Sequence, residues 1–280
     1  MADVENLELR FESGGKTYSS EEMLTLEGFE ASDYVINLSD NATYDGGSVS
    51  GIKVAARPLY IEIQESEEVS RRRQWLTFFN PKKEGILYVT RGDTQRMVSY
   101  RVQAFEVEQP HLQYPPVLKI DLICPDPYFY DVDDFGKNIA SRRALYGFPF
   151  IWPASKGLIS DYKVFTDQTL ILNRGDVETG LIVDFKCTGA VTNPKIELVN
   201  TGQYMRILRT MAAGDTIQFE TNTARKNIYV NGQKYTNFDP ASTFFSLAEG
   251  ENILRYGSDT GYTSLDAYVR YRAKYLAAWG

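Results

Sequence analysis

The sequence is poor in the side chains on which metal centres and many catalytic sites depend. It contains one histidine, His111, and two cysteines, Cys124 and Cys187. A zinc site needs more nitrogen and sulfur ligands than these residues supply, and two cysteines form no disulfide framework. Both cysteines lie in apolar, strand-like patterns, which favours buried free thiols. The sequence therefore predicts no metal, no cofactor and no disulfide scaffold.

The chain also lacks a basic surplus and any long apolar run. Lysine and arginine number 30 against 37 acidic residues, which gives a net charge of −7. A face that binds phosphates normally makes a domain basic, so we expect no nucleic-acid partner. No apolar run approaches the length of a membrane span, and Met1–Asn6 is acidic without a hydrophobic signal region. We therefore expect no membrane partner and no export from the compartment of synthesis.

Aromatic residues are abundant and the hydrophobic period is two, which predicts a mainly β protein. The 19 tyrosines and 15 phenylalanines suit pleated, half-buried surfaces. In the middle of the chain the strand pattern of 117–124 ends at Pro125, and Pro127 precedes three aromatic residues. Because a central strand cannot pass through two prolines, we interpret 115–131 as the last strand of one domain and a stiff elbow. A length of 280 residues also favours two domains.

The first half predicts a β-sandwich or barrel that carries one helix. Its clearest elements are a hairpin turn at 13–16, a strand at 34–38 with a glycine-rich loop through Gly51, a strand at 58–64 and a helix at 67–79. Val69, Leu76 and Phe79 are expected on one side of the helix, with Trp75 and Phe78 beside it. Arg71–Arg73 interrupts that pattern. We interpret it as a solvated face paired with Glu67 and Glu68, or alternatively as a charged subunit contact.

The second half predicts a β-sandwich of jelly-roll or lectin type. Short strands recur from Tyr162 to a last strand at 265–275, with turn residues between them. Among these turns, Asn231-Gly232 is a strong hairpin signal. Arg-Gly-Asp occurs at 91–93 and 174–176 and could suggest integrin recognition. Since Gly and Asp are also what a turn requires, we interpret both as turns.

No catalytic or cation-binding motif stands out. His111 follows Pro110 and has no Ser or Cys motif nearby, so an ordinary loop histidine is preferred to a general base. Asp131, Asp133 and Asp134 lack the spacing of an EF-hand, which favours turn or capping roles over a calcium site. No pattern selects a pair of carboxylates for glycoside hydrolysis. We therefore predict that the chain is not an enzyme.

Aromatic residues of the second half could instead stack on sugar rings. The candidates for a solvent-facing cluster are Trp152, Tyr162, Tyr204, Tyr229 and Tyr235. At strand spacing, however, aromatic residues are more often part of the core. The sequence leaves both interpretations open.

The succession of motifs resembles one family, the distal tail proteins of siphophages and prophages. In the first half the resemblance rests on Arg57–Ile63, Phe78–Pro81 followed by Gly85–Leu87, and Cys124–Tyr130. In the second half it rests on segments that keep the order of the family: Asn173–Gly180, Gly189–Ile196, Asn200–Gly202, Gly214–Ile217, Phe244–Leu247 and Glu249–Asn252. No single motif is specific, but their order is, and it covers nearly the whole chain.

This resemblance implies a structural virion protein of the tail tip, assembled in the cytoplasm of the bacterial host. Residues 1–130 would form the N-terminal ring domain and residues 131–280 a galectin-like C-terminal sandwich. In this family six copies form a ring that joins the tail tube protein to the tail-tip or tail-fibre protein. Candidate contacts with neighbouring subunits or the tube are the Gly46-Gly47 loop and the Arg71–Arg73 helix. The alternative is a carbohydrate-binding module that recognises host cell-wall sugars through its C-terminal domain.

Overall fold

We analysed a computed structural model of the chain. The structure describes residues 7–20, 22–30, 33–40, 45–65, 72–109, 111, 114–138, 141–144, 161–164, 168–222 and 225–279. The chain separates into two compact units. The first unit comprises Met1–Val132 and Lys274–Gly280, and the second comprises Asp133–Ala273. Among the described residues, no helix is long and apolar enough to cross a membrane.

The described residues form 25 strands and one α-helix. The elements up to residue 131 are β1 (Leu7–Ser13), β2 (Lys16–Ser20), β3 (Met23–Glu27), β4 (Tyr34–Asp40), β5 (Gly47–Val54), β6 (Arg57–Gln64), α1 (Arg72–Phe78), β7 (Glu84–Arg91), β8 (Thr94–Glu108), β9 (Val117–Cys124) and β10 (Phe129–Asp131).

The elements of the second unit follow in the chain. They are β11 (Phe135–Asn138), β12 (Ser141–Ala144), β13 (Asp161–Val164), β14 (Gln168–Asn173), β15 (Leu181–Cys187), β16 (Val191–Thr192), β17 (Lys195–Leu198), β18 (Gln203–Arg206), β19 (Thr210–Met211), β20 (Thr216–Asn222), β21 (Arg225–Val230), β22 (Gln233–Lys234), β23 (Gly250–Gly257), a short 3-10 helix (Tyr262–Ser264) and β24 (Leu265–Tyr271). The last strand, β25 (Lys274–Tyr275), belongs to the first unit.

The first unit is built on one nine-stranded antiparallel sheet. Its strand order is β2-β1-β7-β8-β9-β6-β3, and the short strands β10 and β25 attach beside β8. Alternate residues of the central strands face a single core, as the period of two requires. Each central strand contributes fully buried side chains, for example Leu9, Ile61, Leu87, Val98 and Ile120. The predicted mainly β architecture is confirmed.

The helix α1 and the residue that follows it, Phe79, cover part of this core with two aromatic side chains. Trp75 and Phe79 are buried, and the Phe79 ring lies 5.3 Å from the Phe11 ring and 4.8 Å from the Phe105 ring. The expectation that Leu76 also faces inward is wrong, because its side chain is 53% exposed. Trp75 and Phe79 are four residues apart and therefore share one side of the helix, and Leu76 is turned away from that side. The predicted helix segment 67–71 lies outside the described residues.

The C-terminus returns to the first unit. In β25, Tyr275 pairs with Phe129 of β10, the Ala278 amide donates to the Phe29 carbonyl at 2.8 Å, and the Trp279 ring stacks on Phe29 at 5.6 Å. This differs from the sequence-based division, which gave all of 131–280 to the second domain and one strand to 265–275. The strand β24 ends at Tyr271, and the chain then leaves the second unit.

The second unit is a sandwich of two antiparallel sheets. One sheet has the order β11-β24-β15-β20-β21-β22 and the other β14-β23-β17-β18. Inward side chains of both sheets form one core, in which the Phe185 ring of the first sheet lies 6.4 Å from the Tyr256 ring of the second. The hairpin predicted at Asn231-Gly232 is confirmed, since both residues have positive φ, 50° and 75°, between β21 and β22.

Candidate assembly surface and ligand groove

The strands β4 and β5 form a two-stranded hairpin that is a sheet of its own. Tyr34 pairs with Val54, Ile36 with Ile52, and Leu38 with Val49 across a bulge. A two-stranded hairpin without a covered apolar face is only marginally stable in water. The polarity and exposure of the side chains on its two faces therefore indicate whether a partner is needed to cover the hairpin.

The two faces of the hairpin differ in polarity. Paired residues of an antiparallel ribbon share a face, and one face carries six apolar side chains: Tyr34, Ile36, Leu38, Val49, Ile52 and Val54. Five of these, all except Val54, are 53–66% exposed. The other face carries mainly polar residues, among them Asn37, Lys53 and the hydrogen-bonded pair Ser39 and Ser48. We call the six apolar residues the hairpin face.

The candidate loop Gly46-Gly47 lies at the tip of this hairpin. Gly46 has φ 97°, a left-handed conformation that favours glycine, and Gly47 is the first residue of β5. The sequence-based expectation of a loop through Gly51 is wrong, because Gly47–Val54 is a strand paired with β4. In the second candidate contact, Arg72 and Arg73 are exposed on α1, whereas Arg71, Glu67 and Glu68 lie outside the described residues.

The outer face of the six-stranded sheet carries a groove of about 650 Å³. Its outward-facing lining residues include Asp184, Lys186, Gln218, Tyr229, Asp266 and Tyr268. Strand pairing places Tyr268, Asp184, Gln218 and Tyr229 side by side in a row across β24, β15, β20 and β21. With strands about 4.8 Å apart, the backbones of the two tyrosines are about 14 Å from each other. We call this feature the sheet groove.

A hydrogen-bonded carboxylate occupies the middle of the row. Asp184 Oδ1 accepts from Gln218 Nε2 at 2.7 Å, and its Oδ2 accepts from Arg270 Nη2 at 2.8 Å and Nε at 3.0 Å. The guanidinium therefore balances the charge of the carboxylate and fixes its plane. The geometry resembles that of ligand sites in which polar groups are held in place by their neighbours.

The second unit contains a segment that matches a known protein family. Residues 174–275 match the family model described as siphovirus-type tail component, C-terminal domain. Over that range the second unit is similar to the siphovirus-type tail components. This confirms the sequence-based resemblance to the distal tail proteins.

The fold of the chain is similar to that of two solved phage structures. The crystal structure of the Dit protein of phage SPP1 has a TM-score of 0.69 at 12% identity, covering 96% of this chain and 99% of the SPP1 chain. A chain from the phage P2 baseplate in its activated conformation has a TM-score of 0.50 at 8% identity, covering 95% and 98%. At such identities the likeness concerns the fold. No curated protein sequence matches the chain.

The polar residues singled out in the sequence do not converge among the described residues. His111 is exposed, and its carbonyl accepts from the amide of Tyr114 at 3.0 Å. Asp131 accepts from the Tyr275 hydroxyl, and Asp134 pairs with Arg272. Among the described residues, no group of three or more histidine, cysteine, aspartate or glutamate side chains is placed to hold a metal ion.

Both Arg-Gly-Asp sequences lie in turns. Gly92 has φ 57° between β7 and β8, and the side chain of Asn173 accepts from the Gly175 amide at 3.0 Å after β14. The two cysteines are buried free thiols, as predicted.

The structure separates the aromatic residues proposed for a sugar-stacking cluster. Tyr204 faces outward from the four-stranded sheet, Tyr229 faces outward from the six-stranded sheet, and Tyr235 packs against the core. Trp152 and the side chain of Tyr162 lie outside the described residues. Only Tyr229 lines the sheet groove. The sequence analysis missed Tyr268, which alternates with the buried residues Ala267 and Val269 and so carried an outward-facing signal.

Proposed function

We propose that this tail component is a ring-forming adaptor: six copies close a ring at the virion tail tip, which joins the tail tube protein to the tail-tip or tail-fibre protein. The observation that carries the proposal is the uncovered hairpin face in the first unit. Contiguous exposed apolar surface marks an interaction site in a soluble protein. The SPP1 Dit protein is described as a paradigm of the hub adsorption apparatus in phages that infect Gram-positive bacteria, which supports a hub role here.

The exposed area of the hairpin face suits a repeated contact rather than a strong dimer. Full burial of a large aliphatic side chain contributes about 1.5–3 kcal/mol, so burying the exposed half of five contributes about 4–7 kcal/mol. Association costs a similar amount or more, so one such contact would be weak alone. In a closed ring each subunit makes two heterologous contacts, and ring closure makes each of them cooperative. The occupant of the hairpin face is therefore proposed to be a second copy of the chain.

A pair of adjacent substitutions tests this proposal. Ile36→Glu places a charge on the hairpin face, whereas Asn37→Glu places the same charge one residue along β4, on the polar face. Neither side chain is buried in the isolated chain, so both variants should fold. We expect wild type and Asn37→Glu to show six times the mass of one chain by light scattering, and six-fold rings by negative-stain microscopy. Ile36→Glu should be monomeric.

Addition of the tail tube protein completes the test. If the ring forms only on the tube, wild type and Asn37→Glu should co-sediment with the tube while Ile36→Glu stays in solution. Wild type that remains monomeric both alone and with the tube protein would contradict the adaptor role. We also expect no catalytic turnover, in keeping with a structural tail component, and assembly within the cytoplasm of the bacterial host.

A further inference from the structure

We propose that the sheet groove of the second unit is a binding site for a neutral saccharide. The proposal depends on the arrangement of side chains within one sheet and goes beyond the ring-forming role, which uses the first unit. A saccharide presents apolar C–H faces together with hydroxyl groups at its edge. A site for it combines exposed aromatic surface with fixed planar hydrogen-bonding groups, and the sheet groove has both.

The aromatic part consists of two tyrosines at opposite ends of the row. Tyr268 is 40% exposed and Tyr229 is half-buried, and both line the groove. A separation of about 14 Å between their backbones leaves space for one or two sugar rings above the two intervening strands. The volume of about 650 Å³ lies within the range of small-ligand sites.

The polar part is held rigid before any ligand arrives. Asp184 lies between Gln218 and Arg270, both of which donate to its carboxylate. A carboxylate oxygen accepts more than one hydrogen bond, so ligand hydroxyls can still donate to Asp184. The amide oxygen of Gln218 is a further acceptor for a hydroxyl donor. Groups already fixed by their neighbours lose little entropy on binding.

The charges of the groove favour an uncharged ligand. Arg270 balances Asp184, and Lys186 stands directly opposite Asp266 on the adjacent strand. Equal numbers of acidic and basic side chains give no net attraction for a phosphate or a polyanion. A neutral saccharide matches this balance, whereas a nucleic acid or teichoic-acid phosphate does not.

A glycine on the neighbouring strand positions one of the tyrosines. A Cβ atom at Gly136 in β11 would lie 1.8 Å from the hydroxyl oxygen of Tyr268, so the Tyr268 phenol occupies the space that a side chain would take. The absence of a side chain at 136 lets the phenol lie on the β11 side and leaves the surface above Asp184 open. Gly136→Ala should therefore move the Tyr268 ring without removing any ring from the site.

The test measures binding of soluble saccharides to the full chain. The probes are glucose, galactose, rhamnose, N-acetylglucosamine and chitobiose. Their binding is measured by saturation-transfer NMR and titration calorimetry. We expect weak binding of at least one probe. Tyr268→Ala and Tyr229→Ala should each reduce the affinity about tenfold, and Gly136→Ala should reduce it as well.

Tyr204→Ala is the matched control, since it removes a tyrosine from the outer face of the other sheet. It should leave the affinity unchanged. Melting curves establish that each variant is folded, and Gly136→Ala, which retains every groove side chain, covers the case in which a tyrosine variant unfolds.

Two results would overturn the proposal. One is the absence of binding for every probe by the folded wild-type chain. The other is binding that Tyr204→Ala reduces as much as Tyr268→Ala, because the ligand would then not occupy the sheet groove. The monomeric Ile36→Glu chain should bind the same probe with unchanged affinity, so failure of ring formation and failure of saccharide binding are separate outcomes.

Discussion

Replacement of one buried arginine should destabilise the first unit more than any surface change. Arg57, the first residue of β6, is only 2% exposed and connects three separate segments. Its Nε donates to the Pro127 carbonyl at 2.7 Å, Nη1 to Gly28 at 2.6 Å and Nη2 to Leu276 at 2.5 Å. These carbonyls belong to the turn after β3, the proline elbow and the C-terminal return.

The expected magnitude follows from the number of hydrogen bonds lost. Burial lowers the pKa of Arg57, but a guanidinium remains charged at any pH at which the protein folds. Each hydrogen bond to a charged donor contributes about 1.5–3 kcal/mol. A lysine is a point donor without the planar fork, so Arg57→Lys should keep one of the three contacts. The loss of two should lower the free energy of unfolding by about 3–6 kcal/mol.

Urea denaturation followed by tryptophan fluorescence measures this change, because two of the three tryptophans, Trp75 and Trp279, lie in the first unit. The matched control is Arg101→Lys, an exposed arginine paired with Glu84, which should cost less than about 1 kcal/mol. Limited proteolysis should also show earlier cleavage near Leu276 in Arg57→Lys, since its carbonyl loses a donor. A free energy of unfolding within about 1 kcal/mol of wild type would refute the assigned role.

Two further predictions concern backbone strain and thiol reactivity. Gly261→Ala should lower the free energy of unfolding by about 3 kcal/mol, because φ is 77° and the added Cβ would lie 2.1 Å from the Ala190 carbonyl oxygen. Gly202→Ala, with φ 72° and open space, should cost about 1 kcal/mol, and equal losses in urea denaturation would contradict the steric argument. Burial raises the pKa of Cys124 to about 12 and that of Cys187 to about 11, so thiolates are scarce at neutral pH. Both thiols should react with a disulfide reagent at about pH 8 only after unfolding, and rapid labelling of the folded chain would argue against this assignment.

Local chemistry explains which features could be predicted from the sequence. The Asn231-Gly232 hairpin and the turn at Gly92 need positive φ, and the residue types indicate it. The alternation of residue types along 117–124 predicted the strand β9, and Pro125 predicted the point at which it ends. Each of these features depends on a few neighbouring residues, so a single sequence was sufficient.

Pairing between distant segments explains what could not be predicted. The residues Gly47, Ser48, Ser50 and Gly51 have weak strand propensity, and β5 exists because it pairs with β4. Between β24 and β25 no glycine or proline marks the point at which the chain leaves one unit for the other. The sheet groove depends on register across four strands, which places Tyr268 and Tyr229 in one row although nothing local connects them.

The return of the C-terminus determines how the units that carry the two proposed functions are connected. The second unit is inserted between Val132 and Lys274, so both of its chain ends continue into the first unit. Arg57 binds the elbow before the insertion through Pro127 and the segment after it through Leu276. One side chain thus ties the entry and the exit of the inserted unit to the sheet of the first unit. Both chain connections of the second unit, on which the saccharide site is proposed, therefore lead into the unit on which the ring contact is proposed.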